Sequence, residues 1–143
     1  MDILNTFQIG ASALRAHSQR LNTISSNLAN VETTSTPEGG PYKKKSVYFQ
    51  SAPLSFQEEL EGKMKNSMQG VAVTKIVEDK NPPRKVYNPS HPDAKEDGYV
   101  EMPNVNVLEE MVDMMSATRS YQANVTSIKM AKRMALKALE IGR

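Results

Sequence analysis

Two long apolar stripes, one at each end of the chain, limit the possible folds more than any other feature. The N-terminal stripe repeats every seven residues at Phe7, Leu14, Leu21 and Leu28, with a companion row at Ile3, Gly10, His17, Ile24 and Val31. Alternating steps of three and four residues place these side chains along one face of an amphipathic, coiled-coil-like helix. The pattern therefore predicts a helix over residues 3–30.

The C-terminal stripe has the same period and lies in a segment, residues 105–141, without proline or glycine. Its members are Val107, Met111, Met114, Thr118, Tyr121, Val125, Ile128, Lys132, Ala135 and Leu139. Pro103 stops the preceding segment, and Asn106 has a side chain suited to accept hydrogen bonds from the first free amides of a helix. We therefore expect a second helix from Val107 to Ile141.

Polar and small residues interrupt both stripes, and some apolar residues lie beside them. Positions where an isolated coiled coil prefers Leu or Ile hold Gly10, His17, Thr118 and Lys132. Apolar residues off the stripes are Leu108, Met115, Met130 and Leu136. A helix that is apolar on more than one side expects more than one neighbour. The methionines can be ordinary core residues, or adaptable contacts for helices of other subunits.

Between the helices, prolines and turn residues divide the chain into short segments. Alternating or β-branched runs predict strands over residues 42–50, 71–77, 84–87 and 98–102, and residues 54–68 are compatible with a short helix. The basic run Lys43–Lys45 is expected to form a solvent-exposed strand edge. The predicted fold is mainly α with a small β-rich middle. Residues 1–32 and 105–143 pair as a coiled-coil-like helical domain, and residues 33–104 form a small antiparallel sheet looped out between them.

Composition narrows the possible functions. The 143 residues carry a net charge of +2 that is spread evenly, so no basic face suited to nucleic acid is expected. The absence of cysteine excludes disulfides, thiol catalysis and zinc–thiolate sites. No apolar run is long enough to span a membrane. Because no basic segment precedes the first apolar residues, we expect any export to proceed without a cleaved signal peptide.

No residue pattern indicates catalysis, a cofactor or a small-molecule substrate. His17 lies on the apolar stripe, where a packing or interface role is expected, and His91 lies between two prolines. Glu58, Glu59 and Glu61 could act as an acid and base pair in glycan cleavage. Their neighbours are polar, however, which indicates a solvated face.

A calcium loop is only superficially present. Asp93, Lys95, Asp97 and Gly98 have part of the required spacing. Lys95 occupies a ligand position, and Asn104 stands where the loop requires a glutamate. We therefore predict no metal site here.

Motifs at both ends of the chain resemble those of a known family. Residues 25–34 (SSNLANVETT) resemble the N-terminal signature of the bacterial flagellar rod and hook axial proteins, and residues 109–124 resemble its C-terminal counterpart. Within that family, residues 37–45, 86–94 and 98–106 are similar to the FlgC-type branch of proximal rod proteins. Most members place a glycine and an aromatic residue sooner after the first motif; here they follow Pro37. The motif residues are Ser26, Asn27, Leu28, Ala29, Asn30, Thr33, Pro89, His91, Pro92, Asn104, Glu110, Met111, Arg119, Tyr121 and Asn124.

The resemblance implies a non-enzymatic building block of the rod, the shaft that crosses the periplasm inside the flagellar basal body. The implied partners are other copies of the chain, neighbouring proximal rod proteins, the base of the distal rod, basal-body adaptor proteins and the flagellar type III export apparatus. The terminal helices would stack against those of neighbouring subunits and fold fully only on assembly. The expected helix seam consists of Phe7, Leu14, Leu21, Ile24, Leu28, Met111, Met114, Tyr121, Val125, Ile128 and Leu139.

Two further roles can be predicted for motif residues. Asn27, Asn30 and Thr33 are expected to order the exit from the first helix through side-chain to backbone hydrogen bonds. The turn from Tyr87 to Ala94 is expected to hold the sheet against the helices or against a neighbour.

The residues alone leave two other classes of protein open. One is a coiled-coil adaptor or secretion chaperone of a type III export system that folds without polymerising. The other is an accessory enzyme that cuts peptidoglycan, which would require a cleft with paired carboxylates.

Overall fold

The computed structural model of the chain describes residues 3–51 and 70–141. In chain order the elements are α1 (Ile3–Ala29), β1 (Lys45–Ser51), β2 (Val71–Glu78), β3 (Arg84–Tyr87), β4 (Tyr99–Met102) and α2 (Val107–Ile141). The predicted fold class is confirmed: two long terminal helices enclose a middle of short antiparallel strands. The helix expected over residues 54–68, with Glu58, Glu59 and Glu61, lies outside the described residues. Of the helices described, none combines the length and apolar character needed to cross a membrane.

The two helices pack as an antiparallel pair with small residues at their interface. Gly10 near the start of α1 lies against Ile128 in the second half of α2, and Asn27 near the end of α1 meets Glu110 at the start of α2. A Cβ atom added to Gly10 would lie 2.7 Å from Cγ1 of Ile128. Ala16 and Ala117 are each almost fully buried. The small side chains therefore let the helix backbones approach closely.

One of the two rows of the predicted stripe on α2 is displaced by one residue at the interface, whereas the other row, with Met114, Tyr121 and Ile128, is half-buried as predicted. The predicted row contains Met111, Thr118, Val125 and Lys132, whereas the row that packs on α1 is Glu110, Ala117, Asn124 and Ala131. Met111 is 49% exposed and Leu139 is 72% exposed, so neither is buried against α1, and their place in an assembly seam stays a prediction. The prediction favoured large apolar side chains, but the close contact accepts small ones and leaves the large ones on the flanks.

The strands form two separate two-stranded sheets rather than the single sheet expected. β1 pairs with β2 in antiparallel register, with Val47 opposite Ile76 and a bulge between Tyr48 and Phe49. β3 pairs with β4, with Val86 opposite Val100. The segment between β2 and β3 contains Pro82–Pro83, and proline has no amide hydrogen with which to continue a ladder. The two prolines therefore separate the β1–β2 sheet from the β3–β4 sheet.

The β1–β2 sheet packs on the middle of α1. The amide of Val71 donates to the hydroxyl of Ser12 (3.0 Å), and that hydroxyl donates to the carbonyl of Ile9 on α1 (2.7 Å). One turn further, the rings of His17 and Phe49 meet edge to face at 5.6 Å. Both strands of the β1–β2 sheet are therefore in contact with α1.

Candidate functional site

A buried polar junction joins the end of α1, the start of α2 and the segment that leads into β1. At its centre is Asn27, which is 1% exposed and uses all four hydrogen-bonding positions of its side chain. Its Nδ2 donates to the Lys45 carbonyl (2.8 Å) and to Oε2 of Glu110 (3.0 Å). Its Oδ1 accepts from the Lys45 amide (2.9 Å) and from the Tyr42 hydroxyl (3.0 Å). The side chain thus pairs with the backbone of Lys45 as a neighbouring strand would.

Glu110 supplies the negative charge of this junction. It is 1% exposed, and its second oxygen, Oε1, lies 2.8 Å from the ammonium group of Lys44. Lys44 also lies 3.8 Å from Glu109. Burial alone would lower the pKa of Lys44, but the hydrogen bond to Glu110 and the nearby carboxylates raise it above its ordinary value. The carboxylate of Glu110 therefore holds the ammonium group of Lys44 in its charged form.

The N-terminus of α2 is capped as the sequence predicts. The amide of Leu108 donates to Oδ1 of Asn106 (3.1 Å), and the Glu110 amide donates to the Asn106 carbonyl (3.0 Å). The cap fixes where α2 begins, and so it places Glu110 in the first turn.

The expected role of the three motif residues at the helix exit holds only in part. Asn30 donates to the Ser26 carbonyl within the last turn (2.8 Å), and Thr33 donates to the side chain of Asn30 (3.2 Å). Asn27 instead reaches Lys45, 18 residues along the chain. The prediction named no partner for Asn27, because a hydrogen bond to a distant backbone leaves no pattern in one sequence.

The lysine run was expected to be solvated, and for Lys44 this prediction is wrong. Its side chain is 19% exposed and pairs with the buried Glu110. Tyr42 and Lys44 are the functional residues that sequence reasoning missed. The alternation of Tyr42, Lys44 and Ser46 toward one face is a period-two signal that could have indicated them.

The turn between β3 and β4 contacts the connector after α1. Asp93 accepts a hydrogen bond from Thr34 (2.7 Å), and Nδ1 of His91 accepts from the Asp93 amide (3.1 Å). Pro89, Pro92 and Asn104 are exposed, as are Arg119 and Ala29. The turn is thus anchored through Asp93.

The predicted seam residues occupy three environments. Ile24 is buried between the helices. The half-buried members are Phe7, Leu14, Leu21, Leu28, Met114, Tyr121, Val125 and Ile128. Met111 lines an apolar groove of about 390 Å³, together with Leu28, Met114, Met115, Thr118 and Arg119. Further large apolar side chains are exposed along α2, at Leu108, Val112, Met130, Met134, Leu136 and Leu139.

The junction has the properties of a structural anchor rather than of a reaction centre. Its carboxylate is already paired on both oxygens, and its carboxamide has no free donor or acceptor. Within residues 3–51 and 70–141, no group of three or more His, Asp or Glu side chains is arranged to hold a metal ion. What the site offers is a fixed orientation of the sheet on the helix pair, beside an uncovered apolar surface.

Both ends of the chain match known families of flagellar proteins. Residues 7–35 match the family described as Flagella basal body rod protein, and residues 96–141 match the family described as Flagellar basal body rod FlgEFG protein C-terminal. These two matches contain α1 and α2 almost entirely. The chain is therefore a flagellar axial protein of the basal-body rod class.

Relatives of full length narrow the assignment to one family. The chain is 45% identical over 150 residues to the flagellar basal-body rod protein FlgC of Bacillus subtilis and 46% identical over 145 residues to that of Escherichia coli O157:H7, with complete coverage of both chains in each case. It is 41% identical to that of Borreliella burgdorferi, over 99% of this chain and 98% of the relative. The chain belongs to the FlgC family of flagellar basal-body rod proteins. It is a structural subunit of the rod in the flagellar basal body and assembles with other basal-body components.

Proposed function

We propose that the chain polymerises through its terminal helices, as a non-enzymatic subunit of the proximal rod. In this proposal residues 1–32 and 105–143 form one axial helical domain, which spans part of the periplasm, and residues 33–104 form a separate module. The proposed neighbours are further copies, other proximal rod proteins, the distal rod base and adaptor proteins, after delivery through the flagellar export apparatus.

The observation that carries the proposal is the uncovered apolar surface of α2. Leu108, Met111, Val112 and Met115 are each at least 49% exposed and lie within two turns of one another. Of these, Met111 and Met115 line the apolar groove together with Leu28 and Met114. Exposed apolar clusters of this kind mark interaction sites in soluble proteins. The polar junction holds this surface in a fixed orientation toward the sheets.

The proposal is tested by placing a charge on the exposed surface without disturbing the fold. Met115→Asp adds a carboxylate to the groove, where Met115 is 55% exposed, so the isolated chain should fold normally. In cells that lack their own copy, we expect the variant to be exported but not incorporated into basal bodies, and swimming to be lost. Ile76→Asp, at an exposed apolar residue of β2, is the matched control and should swim. Normal swimming of the Met115→Asp strain would contradict the proposal.

A further inference from the structure

The end of the helix pair that lies far from the polar junction carries a marked excess of positive charge. Residues 3–15 and 125–141 together contain five basic side chains and one acidic one. The basic ones are Arg15, Lys129, Lys132, Arg133 and Lys137, and the acidic one is Glu140, which pairs with Lys137 (2.6 Å). Lys129, Lys132 and Arg133 are exposed, and in the part of the chain that the structure describes they have no ion-pair partner. The described residues therefore leave the positive charge on this surface unbalanced.

Exposed methionines lie directly beside this charge. Lys129, Arg133 and Lys137 follow one another at a spacing of four residues, and Met130 and Met134 form the adjacent row on the helix surface. Met130 is 60% exposed and Met134 is 67% exposed. A narrow apolar row with a basic border is complementary, in both charge and hydrophobicity, to an amphipathic helix whose apolar residues are flanked by carboxylates. The flexible methionine side chains can adapt to such a helix.

A second copy of the chain does not supply the complementary charge on its helices. The helices contain four carboxylates, those of Glu109, Glu110, Asp113 and Glu140. Each already pairs with a basic side chain of its own chain, because Lys44 holds Glu109 and Glu110, Arg20 holds Asp113, and Lys137 holds Glu140. Two basic ends brought together would repel each other. The surface therefore favours a different protein.

The geometry also disfavours a membrane as the occupant. A helix that lies in a membrane interface buries one broad apolar face. On α2 the centre of that face is covered by α1 as far as Ala131, which is 7% exposed. Beside it, the open apolar residues next to the basic side chains are Met130 and Met134, a single row along the helix rather than a broad face.

We infer that the surface formed by Lys129, Met130, Arg133, Met134 and Lys137 binds an acidic amphipathic helix of a different protein in the basal body. The inference rests on the proposed function, since it assigns one neighbour of the rod subunit by its chemistry. It makes this end of the helix pair a heterotypic contact, whereas the groove around Met111 and Met115 is free to contact further copies.

Binding can be measured on the full-length protein with a synthetic helical peptide that has leucines four residues apart and glutamates on both sides of them. By fluorescence anisotropy, we expect it to bind about tenfold more tightly than the same peptide with lysines for glutamates, and to weaken as salt is added. Lys129→Glu with Arg133→Glu should weaken binding about tenfold. The matched control, Lys75→Glu with Lys80→Glu, makes the same change of charge on exposed residues elsewhere and should change binding less than about twofold.

The double variant Met130→Ala with Met134→Ala tests whether binding requires the apolar contact as well as the charge, because it leaves the basic residues unchanged. It should also weaken peptide binding. Circular dichroism of each variant checks that the helices are intact. Equal binding of both peptides would overturn the inference, as would an equal loss in the control variant or no effect of the methionine changes. Binding to phosphatidylglycerol vesicles without binding to the acidic peptide would replace it with a lipid contact.

The occupant itself can be identified with a photoreactive amino acid in place of Met130 in assembled basal bodies. We expect cross-links to a helical segment of another basal-body protein in which acidic residues flank apolar ones. Cross-links to further copies of this chain alone would overturn the inference but leave the proposed function intact. If the proposed function were wrong, the result would be different: the chain would be absent from basal bodies. The peptide assay would still measure binding at this surface.

Discussion

Asn27 lies where its neighbours require two donors and two acceptors from one short side chain. The Lys45 carbonyl and Glu110 need donors, and the Lys45 amide and Tyr42 hydroxyl need acceptors. Aspartate has the same shape but only acceptors. A buried network of this kind stabilises a fold only when every member is satisfied.

Asn27→Asp should therefore be strongly destabilising. It removes two hydrogen bonds and places a second carboxylate beside the buried Glu110, so we expect a loss of about 3 kcal/mol in the free energy of unfolding. Urea denaturation followed by circular dichroism measures this loss. Asn22→Asp, on an exposed face of the same helix, is the matched control and should change stability by less than about 0.5 kcal/mol. Similar stability of the two variants would show that the junction does not hold the fold.

His17 gives the docking of the sheet on α1 a dependence on pH. Burial, and to a smaller extent the charge of Arg20, lowers the pKa of His17 below its ordinary value of 6.5. Among the residues that the structure describes, its buried Nδ1 has no hydrogen-bond partner. The unfolded chain then binds the proton first, so the stability that neutral His17 contributes is present above pH 6.5 and is lost as pH falls below it. We expect His17→Leu to lose less stability than the wild type between about pH 7 and pH 5 in urea denaturation. His91→Asn is the control, and parallel pH profiles for wild type and His17→Leu would contradict the assignment.

At the scale of elements, local sequence patterns predicted well which helices and strands exist, but not which of their residues contact one another. The helix bounds, and the strands over β2, β3 and β4, agree with the structure to within one residue or so, because periodicity, prolines and the Asn106 cap act locally. The register of α1 on α2 could not be read in the same way. Hydrophobicity ranks Met111 above Ala117, whereas a close helix contact selects for small size and buries Ala117. Which strands share a sheet likewise depends on contacts between distant residues.

A substitution at Gly10 can show whether the close approach of the two helices sets the register of α1 on α2. Alanine would gain about 1 kcal/mol of helix propensity, but its Cβ would lie 2.7 Å from Ile128, an overlap that costs about 1–3 kcal/mol. We expect Gly10→Ala to destabilise the chain, and the same change made on top of Ile128→Ala to stabilise it. Thermal unfolding of the four proteins in this cycle gives the coupling between the two sites. Additive effects would show that Gly10 and Ile128 do not constrain each other.

For the whole molecule, the sequence indicated the kind of site but not its central interaction. The motifs pointed to Asn27 and Glu110, and the mixed stripes pointed to partners outside the chain. The pairing of Asn27 with Lys45 and of Glu110 with Lys44 depends on how the connector folds back, which no local pattern encodes. Among the described residues the buried apolar side chains are few, and half of them are alanines: Ala16, Ile24, Val100, Val105, Ala117 and Ala131. A single chain therefore has a fixed junction at one end of the helix pair and little core at the other.

Limited proteolysis of dilute protein should reveal this asymmetry. α2 is eight residues longer than α1. Among the described residues, the second half of α2 has one buried side chain, the small Ala131, whereas its start is held by the hydrogen-bonded junction. We expect trypsin to cut at Lys129, Lys132 and Arg133 well before Arg119, as mapped by mass spectrometry, because local opening exposes weakly packed segments first. In isolated basal bodies the same sites should be protected, since the proposed neighbours cover them. Equal protection along all of α2 in dilute solution would instead indicate a helix pair that is complete without partners, as in a non-polymerising adaptor.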